Sequence, residues 1–418
     1  MKLKSLELHN FRGFQALNLP LPDARTLIFI GRNGVGKTSL LEAIAIMLSW
    51  LPARIKSKNS RGLSLNEQDI YFDANGACVK LEVVQGRNKS EWRLFKNRPG
   101  RPASGSSEFN GLNSLALALQ TAMQIGADAP LPLVAYYPAN RSVTETRLES
   151  TRKNYDQLDA FHNAFTKASS FNSFFEWFRN REDLENQQKL KQKNFYYQDT
   201  QLKAVRSAIS AFLPEISELH VDREDPIPRL LAEKEGKTIV INQLSDGEKC
   251  LLGLVGDLAR RLALANPALE RPLTGEGIIL IDEIELHLHP RWQRDIVPGL
   301  ERTFPGCQFV VTTHSPQVLG DARDAAIFVV DIHGDEPVQN LQDSLFGRDT
   351  AHLLEEVMDA SSRNTSVREK LDQLFLQLDE NRTKEARDSL EALKGILSHD
   401  PELIRASVLL RRREKLER

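Results

Sequence analysis

The chain has 418 residues, 41% of them hydrophobic, which is more than one minimal domain needs and enough for a real core. Its 55 Lys and Arg against 57 Asp and Glu leave a net charge of −2, so no global basic excess advertises nucleic acid. Cys78, Cys250 and Cys307 are scattered without metal-ligand pairing, Met1-Lys2-Leu3-Lys4 has no leader pattern, and no apolar run approaches the roughly 20 residues that span a bilayer; the expectation is a cytoplasmic protein with no membrane contact.

Leu3, Leu6 and Leu8 open an alternating strand, and Asn10-Phe11-Arg12-Gly13-Phe14 follows. Leu27-Ile28-Phe29-Ile30 is a second hydrophobic strand, leading into Gly31-Arg32-Asn33-Gly34-Val35-Gly36-Lys37-Thr38. That spacing is a phosphate-binding loop: glycines let the backbone wrap a polyphosphate, and Ser39 onward starts a helix whose N-terminus faces the charge. Gly31, Asn33, Gly34, Gly36, Lys37, Thr38 and Ser39 are therefore the expected nucleotide contacts. Lys37 reaches the β- and γ-phosphates, and the Thr38 hydroxyl binds Mg²⁺. A nucleoside triphosphate, taken as ATP, and Mg²⁺ are the expected cofactors.

Strands are expected at 79–84 and 91–95 around Gly86-Arg87-Asn88, followed by a mobile Pro/Gly/Ser-rich loop at 97–107. A helix is expected over 115–124 with Ser114 as its cap, and Leu133-Val134-Ala135-Tyr136-Tyr137 reads as a buried strand running into Pro138-Ala139-Asn140-Arg141. Arg87, Lys89, Arg93, Lys96, Arg98 and Arg101 make this hairpin basic, as exposed hairpins often are.

Residues 142–237 interrupt the pattern. Phe171, Phe174, Phe175, Trp177 and Phe178 crowd one helix, and aromatics at helical spacing are more often core than base-stacking groups. The stretch is under 100 residues and lacks a sustained heptad, which excludes a long coiled-coil arm. Leu244-Ser245-Asp246-Gly247-Glu248-Lys249 then precedes a helix expected to begin near Cys250 and to run through Leu258.

Gly277-Ile278-Ile279-Leu280-Ile281-Asp282-Glu283 is an apolar run ending in two acids, as a buried parallel strand delivers carboxylates to a ligand crevice. Asp282 is the expected Mg²⁺ partner and Glu283 the expected base for the attacking water. A further strand, Phe309-Val310-Val311-Thr312-Thr313, ends at His314, placed to sense a γ-phosphate. From 347 onward the character changes: Val367, Leu371, Leu374, Phe375 and Leu378, then Ala386, Leu390, Leu393 and Leu397, form apolar stripes at 3–4 spacing. Such stripes need a surface, expected to be either the rest of the chain or another subunit. Asp400-Pro401 starts a last helix.

The order of phosphate loop, Ser-x-Gly-Glu element, acidic strand and histidine resembles the ATP-binding cassette superfamily. The resemblance implies an α/β P-loop head with lobe I at 1–141 and lobe II at 238–346, split by a mostly helical insertion at 142–237 and extended by helices at 347–418. It also implies an ATP-sandwich homodimer or larger homo-oligomer, in which Ser245 and Gly247 of one copy complete the nucleotide site of the other. "NFRGF" before the loop is similar to the SMC, RecF and OLD branch, and there Arg12 is a candidate nucleotide contact. Gln68 is the candidate Mg²⁺-coordinating glutamine, and Asn140 and Arg141 belong to a segment found near the nucleotide in that branch.

Ile284-Glu285-Leu286-His287-Leu288-His289-Pro290, the short insertion and the lack of a Toprim or His-Asn-His pattern resemble the PtuA-like ATPases of Septu and retron anti-phage systems. His287 and His289 have the spacing of a metal pair but are read as part of a loop that touches the partner subunit. What the resemblance implies is an ATPase without a nuclease site, which regulates a separate HNH-type nuclease; DNA, or a retron RNA–DNA hybrid with its reverse transcriptase, is a further implied partner. The alternative within the same branch is a RecF-like repair ATPase.

Overall fold

A computed structural model describes residues 1–126, 128–141, 155–166, 172–224, 228–331, 337–341, 345–358, 361, 363–397 and 400–416. The chain forms two compact units, Met1–Arg348 and Asp349–Arg418.

In the first unit the chain runs through β1 (Lys2–Phe11), β2 (Phe14–Pro20), β3 (Thr26–Ile30), α1 (Lys37–Lys56), β4 (Gly76–Gln85), β5 (Asn88–Asn97), α2 (Asn110–Ile125) and β6 (Leu133–Tyr137). It continues with α3 (Asn172–Gln192), α4 (Thr200–Phe212), β7 (Ile216–Asp222), β8 (Arg229–Lys234), β9 (Lys237–Val240) and α5 (Asp246–Ala265). The unit closes with β10 (Gly277–Ile281), α6 (Pro290–Thr303), β11 (Cys307–Thr312), α7 (Pro316–Asp321), β12 (Ala326–Val330) and β13 (Val338–Leu341).

β3, β6, β10 and β11 are buried along their whole length. Continuous apolar runs of this kind suit a parallel sheet covered on both faces. They lie in one sheet of order β13-β12-β3-β11-β10-β6, parallel except for β13. This order sets the β3 and β10 strand ends on either side of β11, so the phosphate loop and the acidic pair open at one edge. A second, antiparallel sheet has the order β2-β1-β4-β5. α1 packs against both β4 and β11, and the Trp92 indole of β5 donates to the Met47 carbonyl at 3.1 Å. α1 is long and apolar enough by composition to cross a bilayer, contrary to the expectation of no such run. Two thirds of that stretch is buried, because α1 is the core helix between the sheets.

Three local expectations change. α2 begins at Asn110, with Ser114 inside the helix rather than capping it. α5 begins at Asp246 rather than near Cys250: Ser245 and Glu248 form a reciprocal capping box that starts the helix at the glycine element itself. The insertion is not only helical. β7, β8 and β9 form an antiparallel sheet, turned at Glu235-Gly236 with φ of +50° and +73°, a two-residue hairpin of the kind glycine permits. Phe174, Phe175, Trp177 and Phe178 are fully buried and pack as core; Phe171 lies outside the described residues. The basic hairpin is largely neutralised, with Lys89 on Glu82, Arg93 on Glu108 and Arg101 on Asp73. The 97–107 segment is pinned from both sides by Asn97, whose amide donates to the Gly105 carbonyl and whose oxygen accepts from the Ser104 N–H.

The second unit contains α8 (Thr350–Glu356), α9 (Thr365–Asp379), α10 (Thr383–Lys394) and α11 (Pro401–Leu416). Leu371, Leu374 and Leu378 of α9, Leu390 and Leu393 of α10, and Leu403 and Leu410 of α11 form one buried cluster. The two apolar stripes therefore cover each other within this unit. Val367, Phe375 and Leu397 of the same stripes are partly buried against this cluster.

Candidate nucleotide site

The phosphate loop has the backbone its glycines permit. Gly31, Gly34 and Gly36 have φ of +148°, +83° and +97°, conformations costly for any residue with a Cβ. At Gly31 a Cβ would also lie 2.4 Å from the Val330 carbonyl oxygen, whereas the crest at Gly34 opens onto free space. Lys37 turns back into the loop, its ammonium donating to the Gly31 and Arg32 carbonyls at 2.9 and 2.8 Å. Burial lowers its pKa to about 8, against the pull of Asp282, Glu283 and Glu285 in the other direction.

Across the sheet edge, the Thr38 hydroxyl donates to the Asp282 carboxylate at 2.9 Å. The Thr312 hydroxyl donates to the same carboxylate at 2.5 Å and accepts the Glu283 N–H at 2.7 Å. Asp282 is thereby buried and held by the last residue of β11 and the first turn of α1. A hard-oxygen set of hydroxyl and carboxylate beside a cradle of glycine amides suits Mg²⁺ and a polyphosphate. The residues present fit the expected cofactors.

Glu283 itself has φ +47°, strained for a residue with a side chain. Arg141, buried at the end of β6, donates to the Asp282 carbonyl at 2.6 Å and to the Glu283 carbonyl at 2.8 Å. It thus clamps the turn that carries both acids. His314 follows β11; its backbone N–H donates to the Glu285 carboxylate at 2.5 Å. Burial, and then the nearby Lys37 charge, lower the His314 pKa, which favours a neutral imidazole.

The structure brings Lys37, Thr38, Asp282, Glu283 and His314 to one crevice. Arg12 lies at its side, with φ +48°, ion-paired to Glu42 and Asp69 and 3.5 Å from the Ser39 hydroxyl. Gln68 is exposed in the short turn Glu67–Asp69, next to the Asp69 that Arg12 holds. Asn33 is exposed in the loop, and Asn140 is exposed after β6. Ser245 caps α5 through Glu248, and Gly247 packs so closely that a Cβ would meet the His287 carbonyl at 2.5 Å. His287 contributes that carbonyl at φ +65°, and the His289 ring caps α6 by accepting the Arg291 N–H.

Two positions escaped the sequence reading. Thr312 ends an apolar strand as an unremarkable β-branched residue, and its link to Asp282 appears only when β10 and β11 pair. Glu285 belongs to the segment after the acidic pair, but nothing local ties it to His314. A second network lies behind the site. The Tyr137 hydroxyl donates to Asp257 of α5 at 2.9 Å, and Arg260 and Arg261 hold the same carboxylate at 2.7 Å. Burial would raise the Asp257 pKa, but the two arginines hold it well below the usual carboxylate range. Since the Asp282 N–H donates to the Tyr137 carbonyl at 2.9 Å, α5 and the acidic turn share one strand end.

The chain is similar to several known proteins. An AAA-domain family matches residues 5–217, and a family described as "AAA domain, putative AbiEii toxin, Type IV TA system" matches residues 139–320. The retron Vc95 probable ATPase of Vibrio cholerae serotype O1 biovar El Tor is 32% identical over 378 residues, 79% of this chain and 73% of the relative. The Septu protein PtuA of Bacillus thuringiensis is 25% identical over 367 residues, 85% of this chain and 84% of the relative. Among solved structures, an Smc head bound to the C-winged helix domain of ScpA is 18% identical and covers 82% of this chain and 99% of its own, with a TM-score of 0.46.

Proposed function

This chain belongs to the AAA-domain ATPase family that includes the retron Vc95 probable ATPase, and from that premise we propose that it is the ATP-hydrolysing regulator of a bacterial anti-phage system, acting on a separate effector nuclease. The observation that carries the catalytic part is the linkage of Thr38, Asp282, Thr312 and Glu283, which ties the phosphate loop to the acidic turn by consecutive hydrogen bonds.

Lys37 leaves its two loop carbonyls to neutralise the β- and γ-phosphates, and the loop amides and Ser39 complete the anion contacts. Thr38 and Asp282 would hold Mg²⁺, with Gln68 as the candidate ligand from lobe I, and the ion would offset the negative charge of the phosphates. Bound ATP supplies the phosphoanhydride to be cleaved. Glu283 orients the attacking water and accepts its proton. A neutral His314 donates a hydrogen bond toward the terminal phosphate instead of adding charge there. Ser245 and Gly247 at the N-terminus of α5 offer amides and a helix dipole to a phosphate held by a second copy. Hydrolysis then requires a head-to-tail homodimer, and the assembly state becomes the signal passed to the nuclease.

The support for the defence role is the likeness to a retron ATPase and to PtuA over most of the chain. The test is phage challenge of cells carrying the chain with its neighbouring genes. Wild type is expected to lower plaque counts and Glu283→Gln to abolish the protection; equal plaque counts with wild type, Glu283→Gln and empty vector overturn the defence reading.

A further inference from the structure

The α3–α4 hairpin carries surface chemistry that the nucleotide site does not use. From Asn186 to Gln198 the sequence holds Lys189, Lys191 and Lys193, the aromatics Phe195, Tyr196 and Tyr197, and six Asn or Gln, with no acid. Glu182, Asp183, Glu185 and Asp199 flank the segment and Lys189 is paired with Glu185, which leaves Lys191 and Lys193 as the exposed cations of the tip. The tip is built rather than loose. Lys193 turns the chain at φ +51°, the Asn194 side chain accepts the Tyr196 N–H at 3.0 Å, and Asp199 caps α4 by accepting from the Gln201 and Leu202 N–H groups. Phe195 and Tyr196 are 77% and 94% exposed on that fixed turn. Two large rings held in water, with the adjoining Lys191 and Lys193 also exposed, are arranged for a ligand that has both π faces and negative charge.

A cleft of about 650 Å³ lies beside the tip, lined by Phe195, Tyr196, Lys189, Arg206 and Arg223 together with Glu182 and Glu185. The acids lie beneath the cations: the Glu182 and Glu185 side chains are 5% and 1% exposed, those of Arg206 and Arg223 31% and 35%. Glu182 accepts the Val221 N–H and Glu185 the Asp199 N–H, so their carboxylates are also occupied from within. Lys189, Arg206 and Arg223 are ion-paired with Glu185, Glu182 and the half-exposed Asp183, and Glu218 is also exposed, so the cleft is balanced in charge and the exposed cations are Lys191 and Lys193 of the tip.

We propose that the tip of the α3–α4 hairpin binds single-stranded nucleic acid, with Phe195 and Tyr196 stacking on unpaired bases and Lys191 and Lys193 on the phosphates. A convex pair of rings cannot reach bases that are already stacked and paired, which selects single strands over duplex. The amides beside the rings suit phosphates and base edges without demanding a sequence. The proposal stands apart from the ATPase reading, because binding is measured without nucleotide.

The test is fluorescence anisotropy of a labelled 20-nucleotide oligo-dT, an oligo-rU of equal length and a blunt duplex, on the whole chain over a range of salt. Wild type is expected to bind both single strands, with the duplex at least about tenfold weaker. Phe195→Ala/Tyr196→Ala should lose roughly tenfold or more for the single strands. Lys191→Glu/Lys193→Glu should also weaken binding and flatten the log–log salt slope by about 1–2. Neither double variant touches the nucleotide crevice, so both should retain oligonucleotide-free ATP turnover. Single-strand binding unchanged in both variants, equal affinity for duplex, or no binding by wild type overturns the proposal; in the last case, loss of a co-purifying protein from the aromatic variant would assign the tip to a protein partner instead.

Discussion

The Arg141 guanidinium donates to the backbone carbonyl of Glu283 at 2.8 Å, fixing the strained residue at the end of β10 from the end of its neighbouring strand. A single planar fork spans the carbonyls of two consecutive residues, which an ammonium cannot copy. Arg141→Lys should therefore leave ATP affinity within about threefold and lower kcat on the order of 10- to 100-fold, since misplacing a base by about 1 Å has that cost. Steady-state kinetics separates the cases: a rise in KM with kcat unchanged would show that Arg141 serves binding rather than the turn.

Glu283→Gln keeps the shape of the site and removes the proton acceptor. Turnover is expected to fall by roughly 10²-fold or more, with ATP still bound. Lys37→Ala should instead weaken binding itself. Equal phosphate release by wild type and Glu283→Gln removes Glu283 from the mechanism.

Because burial lowers the Lys37 pKa to about 8, pH acts on this residue with a defined sign. Folding favours the neutral amine, so the Lys37 contribution to stability is present above its unfolded pKa and is lost as pH falls toward 8. Phosphate binding works the other way, favouring the ammonium. At pH 8.5, ATP binding should take up protons, and affinity should weaken as pH rises through 8. Calorimetry in buffers of different ionisation enthalpy reads this directly; wild type should depend on the buffer and Lys37→Arg should not. Buffer-independent heats in wild type contradict it.

The proposed composite sites are tested by complementation. Ser245→Arg should bind ATP at its own loop yet fail to pair, as the added cation and bulk occupy the position meant for a partner's phosphate. Mixed with Lys37→Ala protein, it should regain one working site per mixed dimer, giving up to about half of wild-type turnover per dimer if the sites act independently. Mixed dimers that form but show no activity argue against the head-to-tail arrangement.

Leu374 is fully buried in the α9–α11 cluster. Leu374→Ala should destabilise the second unit by about 2–5 kcal/mol through lost contacts and a cavity. Hydrogen exchange should speed up in α9, α10 and α11 together, since they share one core. Unchanged protection in α10 and α11 would mean that the three helices are not cooperative.

The sequence by itself determined the phosphate loop, the acidic pair after an apolar strand, and the helical character of the last 70 residues. Each is a contiguous run whose chemistry follows from spacing: glycines that free the backbone, a lysine one turn away, leucines at 3–4 intervals. Only the tertiary structure decided what completes those runs. Thr312 and Arg141 reach Asp282 and Glu283 because β11 and β6 flank β10, and a hydrogen bond between strands that lie up to 141 positions apart leaves no mark on local pattern. The apolar stripes of the tail reveal that something must cover them, but periodicity carries no identity of the cover; packing of α9, α10 and α11 supplied it. Likewise, Phe174 and Phe195 are the same residue type on neighbouring segments. Their opposite fates, one in the core and one in water, follow from tertiary packing, which sets the Phe174 ring against Gly256 of α5 and leaves Phe195 at the hairpin tip.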